Sequence, residues 1–175
     1  MAEFYDIITV PDAVLKEKAK AVETVDANLR AQLDKMLATM YKAPGIGLAA
    51  NQVGMLNRVL VMDIAYRDNP ETRRPIFMIN PEIIWTSDEP SVWEEGCLSI
   101  PGHYADVERP QAVRVKFINY NGQWEEGYFE DLGSHCVQHE IDHLNGVLFI
   151  DHISALKRNM IMRKMQKASK ENTIL

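Results

Sequence analysis

Two histidines four residues apart, His139 and His143, enclose a glutamate in the run Gln138-His139-Glu140-Ile141-Asp142-His143-Leu144-Asn145-Gly146. On an α-helix that spacing puts both imidazoles on one face, one turn apart. Two imidazoles so placed can grip one metal ion. Glu140, directly after the first of them, can lean over the ion's open side as a proton carrier. The chemistry such a trio supports is metal-assisted hydrolysis. The bland alternative is a surface helix with two solvated histidines, since short patterns of this kind also arise by chance.

A catalytic metal site usually takes three protein ligands and keeps one position open. A metzincin would place the third ligand at position 149, which is Phe149. A thermolysin-like site wants a glutamate well downstream, where the chain offers only Glu171 in a polar tail. His135 lies four residues before His139. It is eight from His143, however, roughly 12 Å along a helix at 1.5 Å per residue. One ion cannot take all three from a straight helix, so His135 reads as a lining or core residue. His103 and His152 read as surface or hydrogen-bonded histidines, with His152 a weak spare candidate. Cys97 remains, in the glycine-flanked segment Glu94-Glu95-Gly96-Cys97-Leu98-Ser99-Ile100-Pro101-Gly102. A thiolate beside a divalent ion is deprotonated and binds well. Cys136, three residues before His139, reads as a small buried core residue. Chemistry alone favours a site of His139, His143 and Cys97.

The elements that must hold these residues follow from periodicity and turn chemistry. Val10-Pro11-Asp12 opens a short helix with Val14, Leu15 and Ala19 as its apolar positions. Asp26 is placed to cap a longer helix, with Leu29, Leu33, Met36, Leu37 and Met40 on its buried face. Pro44-Gly45-Ile46-Gly47 ends it. Residues 59–64 read as a buried strand and 76–85 as a second, interrupted at Pro81, with a turn at Asp68-Asn69-Pro70 between them. Residues 93–102 read as irregular. Residues 113–120 and 123–129 form a hairpin about Asn121-Gly122. Asp131 is expected to cap the helix that carries the histidines, and Gly146 to stop it. Residues 147–150 read as a short strand, and Ser154 caps a final helix to about Ser169. Helices, strands, then helices again point to an α+β fold.

Size and composition set the frame. With 175 residues, 46% hydrophobic and 25% charged, the chain reads as one domain, 1–175, able to bury a core without disulfides. A net charge of −6 argues against DNA as a partner. The amino terminus lacks the features of a secretory signal, and no apolar run approaches the ~20 residues of a membrane helix. Two cysteines fit a reducing cytoplasm. Residues 155–175 form a basic helix and tail, with Lys157, Arg158, Arg163, Lys164, Lys167 and Lys170 against Glu171. The plain reading of that run is a solvated face.

Three stretches, Gly45-Ile46-Gly47-Leu48-Ala49-Ala50-Asn51-Gln52, Glu95-Gly96-Cys97-Leu98-Ser99 and Gln138-His139-Glu140-Ile141-Asp142-His143-Leu144, resemble in this order the three motifs of bacterial peptide deformylase. The likeness runs from about Tyr5 to Lys167. It implies antiparallel sheets around a central metal-binding helix, and removal of the formyl group from the initiator methionine of new polypeptides. It implies Cys97, His139 and His143 as ligands of one divalent ion, Fe²⁺ in the cell, with Zn²⁺, Ni²⁺ or Co²⁺ as alternatives. It implies Glu140 as the base, and the Leu98 N–H and the Gln52 amide as oxyanion donors. It assigns the pocket to Ile46, Gly47, Trp93, Glu95, Gly96, Leu132, His135 and Cys136, where His135 implies a more polar wall than the family's usual one. The segment Gly102-His103-Tyr104 also departs from the family's pattern, in which an arginine is common near Tyr104. The resemblance further suggests N-formylmethionyl peptides as partners, a ribosome contact through the basic helix, and a monomer. Rival readings are another metal-dependent amidase or peptidase, and a binding module that has lost activity.

Overall fold

The computed structural model describes residues 3–174, and the side chains of residues 3–170. Met1, Ala2 and Leu175, and the side chains of residues 171–174, among them the Glu171 of the polar tail, lie outside the described residues. Two antiparallel sheets enclose a central helix. The larger has the strand order β1-β2-β3-β6-β7, formed by β1 (Gly47–Ala49), β2 (Val59–Met62), β3 (Ile76–Thr86), β6 (Ala112–Ile118) and β7 (Trp124–Glu130). The smaller pairs β4 (Pro90–Cys97) with β5 (Ile100–Pro110). Helices α1 (Ala27–Lys42), α2 (Leu132–Leu144) and α3 (Ala155–Ile174) complete the regular framework, with short 3-10 turns between.

The two-residue period of a strand explains the layering. On β2, Val59 and Val61 pack with Leu29, Leu33, Met36 and Met40 of α1. Leu60 and Met62 point the other way and pack with Val137, Ile141 and Leu144 of α2. Covered on both faces, β2 is apolar throughout, as a strand between two helices must be. A third cluster joins Ile100, Ala105 and Val107 of β5 to Leu15, Phe149, Ile150 and to Ile161 and Met165 of α3. Helix α2 therefore has apolar neighbours on its β2 side and the smaller sheet on its other side. Eleven of its thirteen residues are buried, polar ones included, so its sequence mixes apolar and chemical residues without an exposed polar stripe.

Helix ends are set by local hydrogen bonds. Asp26 caps α1 by accepting from the Leu29 N–H at 2.9 Å, and the Ser154 hydroxyl accepts from the Lys157 N–H at 3.2 Å. Gly146 stops α2 with φ +75, and a Cβ there would lie 2.4 Å from the Lys16 carbonyl oxygen. The carbonyl of Leu144 accepts from the Ala19 N–H at 2.8 Å and from the Arg58 guanidinium at 3.0 Å. The amino-terminal segment thus seals the end of the helix that carries the histidines.

Several expectations give way. Residues 93–102 are not irregular: they are the end of β4, a tight reversal and the start of β5. Asp131 does not cap α2. It stands at φ 53 with no capping hydrogen bond, and its carboxylate takes the Gln111 amide instead. Residues 147–150 make no strand, because Asp151 accepts from the Leu148 N–H and winds Phe149–His152 into a 3-10 turn. Strand β3 runs through Pro81 with a register shift. Asn80 there takes φ 51 and both donates to and accepts from the Val22 backbone at 2.8 Å. The hairpin loop runs from 119 to 123 rather than turning on Asn121-Gly122 alone. The Asn119 side chain accepts from the N–H groups of Asn121 and Gln123. Helix α3 continues past Ser169 to Ile174. No helix of the described residues is long and apolar enough to cross a membrane.

Candidate metal centre and active site

Strand β4 and helix α2 run side by side, and their repeats nearly match. Two residues along a strand advance ~6.6 Å and four along a helix ~6 Å. Glu95 meets His139, and two residues on, Cys97 meets His143. The contacts are Glu95 Oε1 to His139 Nδ1 at 2.9 Å and Cys97 Sγ to His143 Nε2 at 3.3 Å. Cys97 Sγ, one nitrogen of His139 and one of His143 all lie within 4.8 Å of one another. Two ligands of a tetrahedral ion, each ~2.0–2.3 Å from it, stand roughly 3.3–3.5 Å apart, so the trio fits a single ion. His135, His103 and His152 lie outside it. His152 is instead bonded to Asp142 at 2.8 Å.

Glu95 fixes which nitrogen His139 offers. A carboxylate only accepts, so Nδ1 carries the proton toward Glu95 and Nε2 is left for an ion. Glu95 is itself clamped by Arg109, whose Nε and Nη2 donate to its two oxygens at 2.7 and 3.0 Å. Arg109 Nη1 reaches Asp142 at 2.8 Å. Burial pushes the Glu95 carboxyl up, but the hydrogen bonds from His135, His139 and Arg109 outweigh it. The group sits well below the usual carboxylate range.

Burial likewise disfavours a charge on His139, yet the Glu140 charge and the hydrogen bonds that the imidazole donates to Cys97 and Glu95 carry it well above the ordinary value. Burial and the His139 charge push His143 well below its own. Two imidazoles and a thiol, gathered as neutral or deprotonated donors, make a set suited to a divalent cation. Two buried polar atoms at this cluster, Glu140 Oε1 and His143 Nδ1, have no hydrogen-bond partner. Burial raises Glu140 to about 7, in the range of a group that takes and returns a proton near neutrality. Its carboxylate nestles against Gly47, where a Cβ would lie 2.4 Å from Oε2.

Gln52, 1% exposed, is held by both ends. Its Oε1 accepts from the Ala49 N–H at 2.9 Å, and its Nε2 donates to Ser99 Oγ at 3.1 Å while lying 3.6 Å from Cys97 Sγ. The amide is therefore fixed beside the ligand cluster.

A cavity of about 910 Å³ opens onto these groups. Ile46, Gly47, Gln52, Trp93, Glu95, Gly96, Cys97, Leu98, Leu132, His135, Cys136, His139 and Glu140 all line it. His143 lies beneath, fully buried.

A sequence model described as polypeptide deformylase matches residues 4–159. The chain belongs to the polypeptide deformylase family. It is 56% identical over 165 residues to a peptide deformylase of Mesorhizobium japonicum, covering 94% of this chain and 93% of that one. It is 50% identical to one of Phenylobacterium zucineum, covering 94% and 96%. A crystal structure of peptide deformylase from Ehrlichia chaffeensis superposes with a TM-score of 0.91 at 36% identity, covering 97% of this chain and 99% of that one. The α+β architecture expected from the resemblance is the one observed.

Two features of the cavity differ from the sequence reading. His135 was expected to make the wall polar, but both its ring nitrogens are engaged, Nδ1 with Glu95 at 2.8 Å and Nε2 with Ser91 Oγ at 3.0 Å. What remains for the cavity is ring carbon. The cavity is also wider than the three motifs suggest, taking in Tyr66, Arg67 and Pro70 on one side and His103 and Tyr104 on another. Sequence reasoning placed none of these in the cavity: Pro70 reads as a turn residue, His103 as a surface or hydrogen-bonded histidine and Tyr104 only as a departure from the family, while the roles of Tyr66, Arg67, Ser91, Arg109 and Asp142 were passed over. One signal was present: Ser91, Trp93, Glu95 and Cys97 alternate at strand spacing, which puts them on one face.

Proposed function

We propose that this chain is a metal-dependent amide hydrolase that removes the N-formyl group from the initiator methionine of nascent polypeptides. Cys97, His139 and His143 hold the ion in this reading. The observation that carries it is one place in the fold: three donor atoms gathered at and just beneath the floor of a cavity, with the unpartnered Glu140 Oε1 beside them. A divalent ion bound there supplies Lewis acidity, lowering the pKa of water and polarising a formyl oxygen. Fe²⁺ is the ion we assign in the cell, with Zn²⁺, Ni²⁺ or Co²⁺ able to replace it, since metal availability competes with affinity.

The residues of the chain do the rest. Glu140 accepts the proton of the attacking water, and its raised value near 7 leaves it able to hand that proton to the departing amine. Charge then develops on the former carbonyl oxygen, which needs donors already aimed at it. The Gln52 amide, immobilised by Ala49 and Ser99, is one, and the Leu98 backbone N–H the other. Formate and a free amino terminus are the products. Ile46, Trp93, Leu132, Cys136 and the carbon edge of His135 form the methionine pocket, with Gly47, Glu95 and Gly96 as its floor. Gly96 lets the Tyr104 ring lie against the strand, 2.5 Å from where a Cβ would be.

We place the enzyme in the bacterial cytoplasm as a single-domain monomer. Both cysteines are free thiols, which fits a reducing compartment. The basic helix α3 is proposed to touch ribosomal RNA.

The deciding experiment is formate release from formyl-Met peptides by anaerobically purified protein, with metal analysis, beside acetyl-Met and internal peptides. Glu140→Ala should keep the metal and lose turnover by about 100-fold or more; near-normal activity would overturn the base assignment. Cys97→Ser should weaken or exchange the metal, and unchanged metal content and activity would remove Cys97 from the ligand set.

A further inference from the structure

The Glu95 carboxylate is shared between two imidazoles one helical turn apart. His139 takes Oε1 at 2.9 Å and His135 takes Oε2 at 2.8 Å. His135 is 1% exposed, so this contact is not screened by solvent. Glu95 can only accept, which obliges Nδ1 of His135 to be its protonated nitrogen. The other nitrogen meets the Ser91 hydroxyl at 3.0 Å, which holds the ring in plane. Ser91 and Glu95 are on one face of β4, so a single strand grips the His135 ring at both nitrogens.

We propose that His135 is a positioning residue for the metal ligand His139, acting through the Glu95 carboxylate that the two rings share. The proposal rests on the reading of Cys97, His139 and His143 as metal ligands. A ligand imidazole is oriented by what its second nitrogen donates to, and that acceptor is useful only if it is itself fixed. Arg109 holds Glu95 from the β5 side, and His135 holds it from the helix side. Without His135, Oε2 keeps only the Arg109 Nε contact. The carboxylate then rests on the Arg109 fork without support from the helix side, and the His139 ring that donates to it is less firmly oriented. Helix α2 thus supplies both a ligand and, one turn earlier, the support for that ligand's own acceptor.

The test uses the full chain loaded with Zn²⁺, and three proteins: wild type, His135→Leu and His135→Asn. An asparagine amide can stand where Nδ1 stands and still donate to Glu95, whereas leucine fills the space without a donor. Metal transfer to a colorimetric chelator is followed by stopped flow. Direct ligand-acceptor partners are typically worth about 10–100-fold in metal affinity, so a residue one bond further out is expected to speed release about three- to tenfold in His135→Leu. His135→Asn should release at close to the wild-type rate. Equal release from all three proteins overturns the proposal, and so does equally fast release from Leu and Asn, which marks a space-filling role. A change in KM among formylated peptides with unchanged release would make His135 a pocket wall and nothing more, and also overturns it. ¹⁵N-histidine NMR of the wild-type zinc enzyme gives an answer that needs no variant: Nδ1 of His135 must be protonated, and a lone-pair Nδ1 signal refutes the arrangement. A wild-type chain that takes up no stoichiometric zinc overturns the metal-site reading and this proposal together. A chain that holds zinc but shows no effect of His135→Leu overturns this proposal alone.

Discussion

A single methyl group at Gly47 tests the placement of Glu140. A Cβ on Gly47 would lie 2.4 Å from Glu140 Oε2, 2.7 Å from Cδ and 2.9 Å from Cγ, where ordinary contact begins at 3.4 Å. In Gly47→Ala something must give. The backbone of β1 is pinned, because Gly47, Leu48 and Ala49 are paired in register with Met62, Val61 and Leu60. Glu140 is the freer party, with no hydrogen bond from its carboxylate to another described residue. It therefore retreats by about 1 Å, and a displacement of that size at a reacting group costs on the order of 100-fold in rate. The three heavy atoms nearest the new methyl all belong to Glu140, so the base takes the displacement first and the metal should stay. Overfilling the site should also cost about 1–3 kcal/mol of stability. The assay is formate release under saturating formyl-Met peptide, with metal content and thermal unfolding measured on the same sample. The expected result is a kcat near 1% of wild type, about 2.7 kcal/mol of barrier, with one metal retained and a lower Tm. A kcat within about threefold of wild type would show that the Glu140 position seen here is not the working one. Loss of the metal in step with activity would show that the methyl collapses the site rather than displacing the base.

Three further outcomes follow from the same geometry. Gln52→Leu should lower kcat by about 100- to 1000-fold with little change in metal content; a purely structural Gln52 would instead lower Tm and leave turnover per folded molecule intact. Glu95 is held below its unfolded value of 4.5, so its contribution to stability is complete above that pH and is lost as pH falls toward the lower folded value. Urea midpoints of the wild type should therefore drop more steeply below about pH 4.5 than those of Glu95→Gln, and parallel curves would refute the assignment. For the ribosome contact, charge reversal at Lys157, Lys164 and Lys167 is the cleaner perturbation, because Ile161 and Met165 of the same helix belong to the core and truncation would expose it. Salt-dependent ribosome binding should weaken in the reversed protein while formate release stays unchanged; equal binding would leave α3 a solvated face.

Much of this architecture was legible because its signals are local. The caps at Asp26 and Ser154, the stop at Gly146 and the alternation of Val113, Val115 and Phe117 each act within a few residues. The His139–Glu140–His143 spacing is also local, and Cys97 could be reached by eliminating the other donors. The smaller sheet was not legible. Its β4 strand turns Ser91 and Glu95 inward and leaves Val92 59% exposed, which inverts the usual code of apolar inside and polar outside. A strand that delivers chemistry to an interior looks irregular to any reading based on hydrophobicity. The roles of Ser91, Arg109 and Asp142 were hidden for a different reason, since strand register and tertiary approach bring them together. Arg109 reaches both Glu95 on β4 and Asp142 on α2. Asp131 and residues 147–150 misled because one side-chain hydrogen bond, to Gln111 and to Leu148 respectively, overrode the local preference.

The seal between the amino-terminal segment and the end of α2 bears on how the protein is made. The Ala19 N–H has its acceptor on Leu144, and Gly146 is a glycine because the Lys16 backbone lies against it. Residue 19 leaves the ribosome long before residue 144 exists. Early segments must wait, and the larger sheet waits with them, for α2 to close its face. Contacts so distant in sequence are slow to form and leave apolar surface open meanwhile. A protein that trims the ends of chains still being synthesised is thus itself unable to finish its active site until almost all of its own chain has emerged.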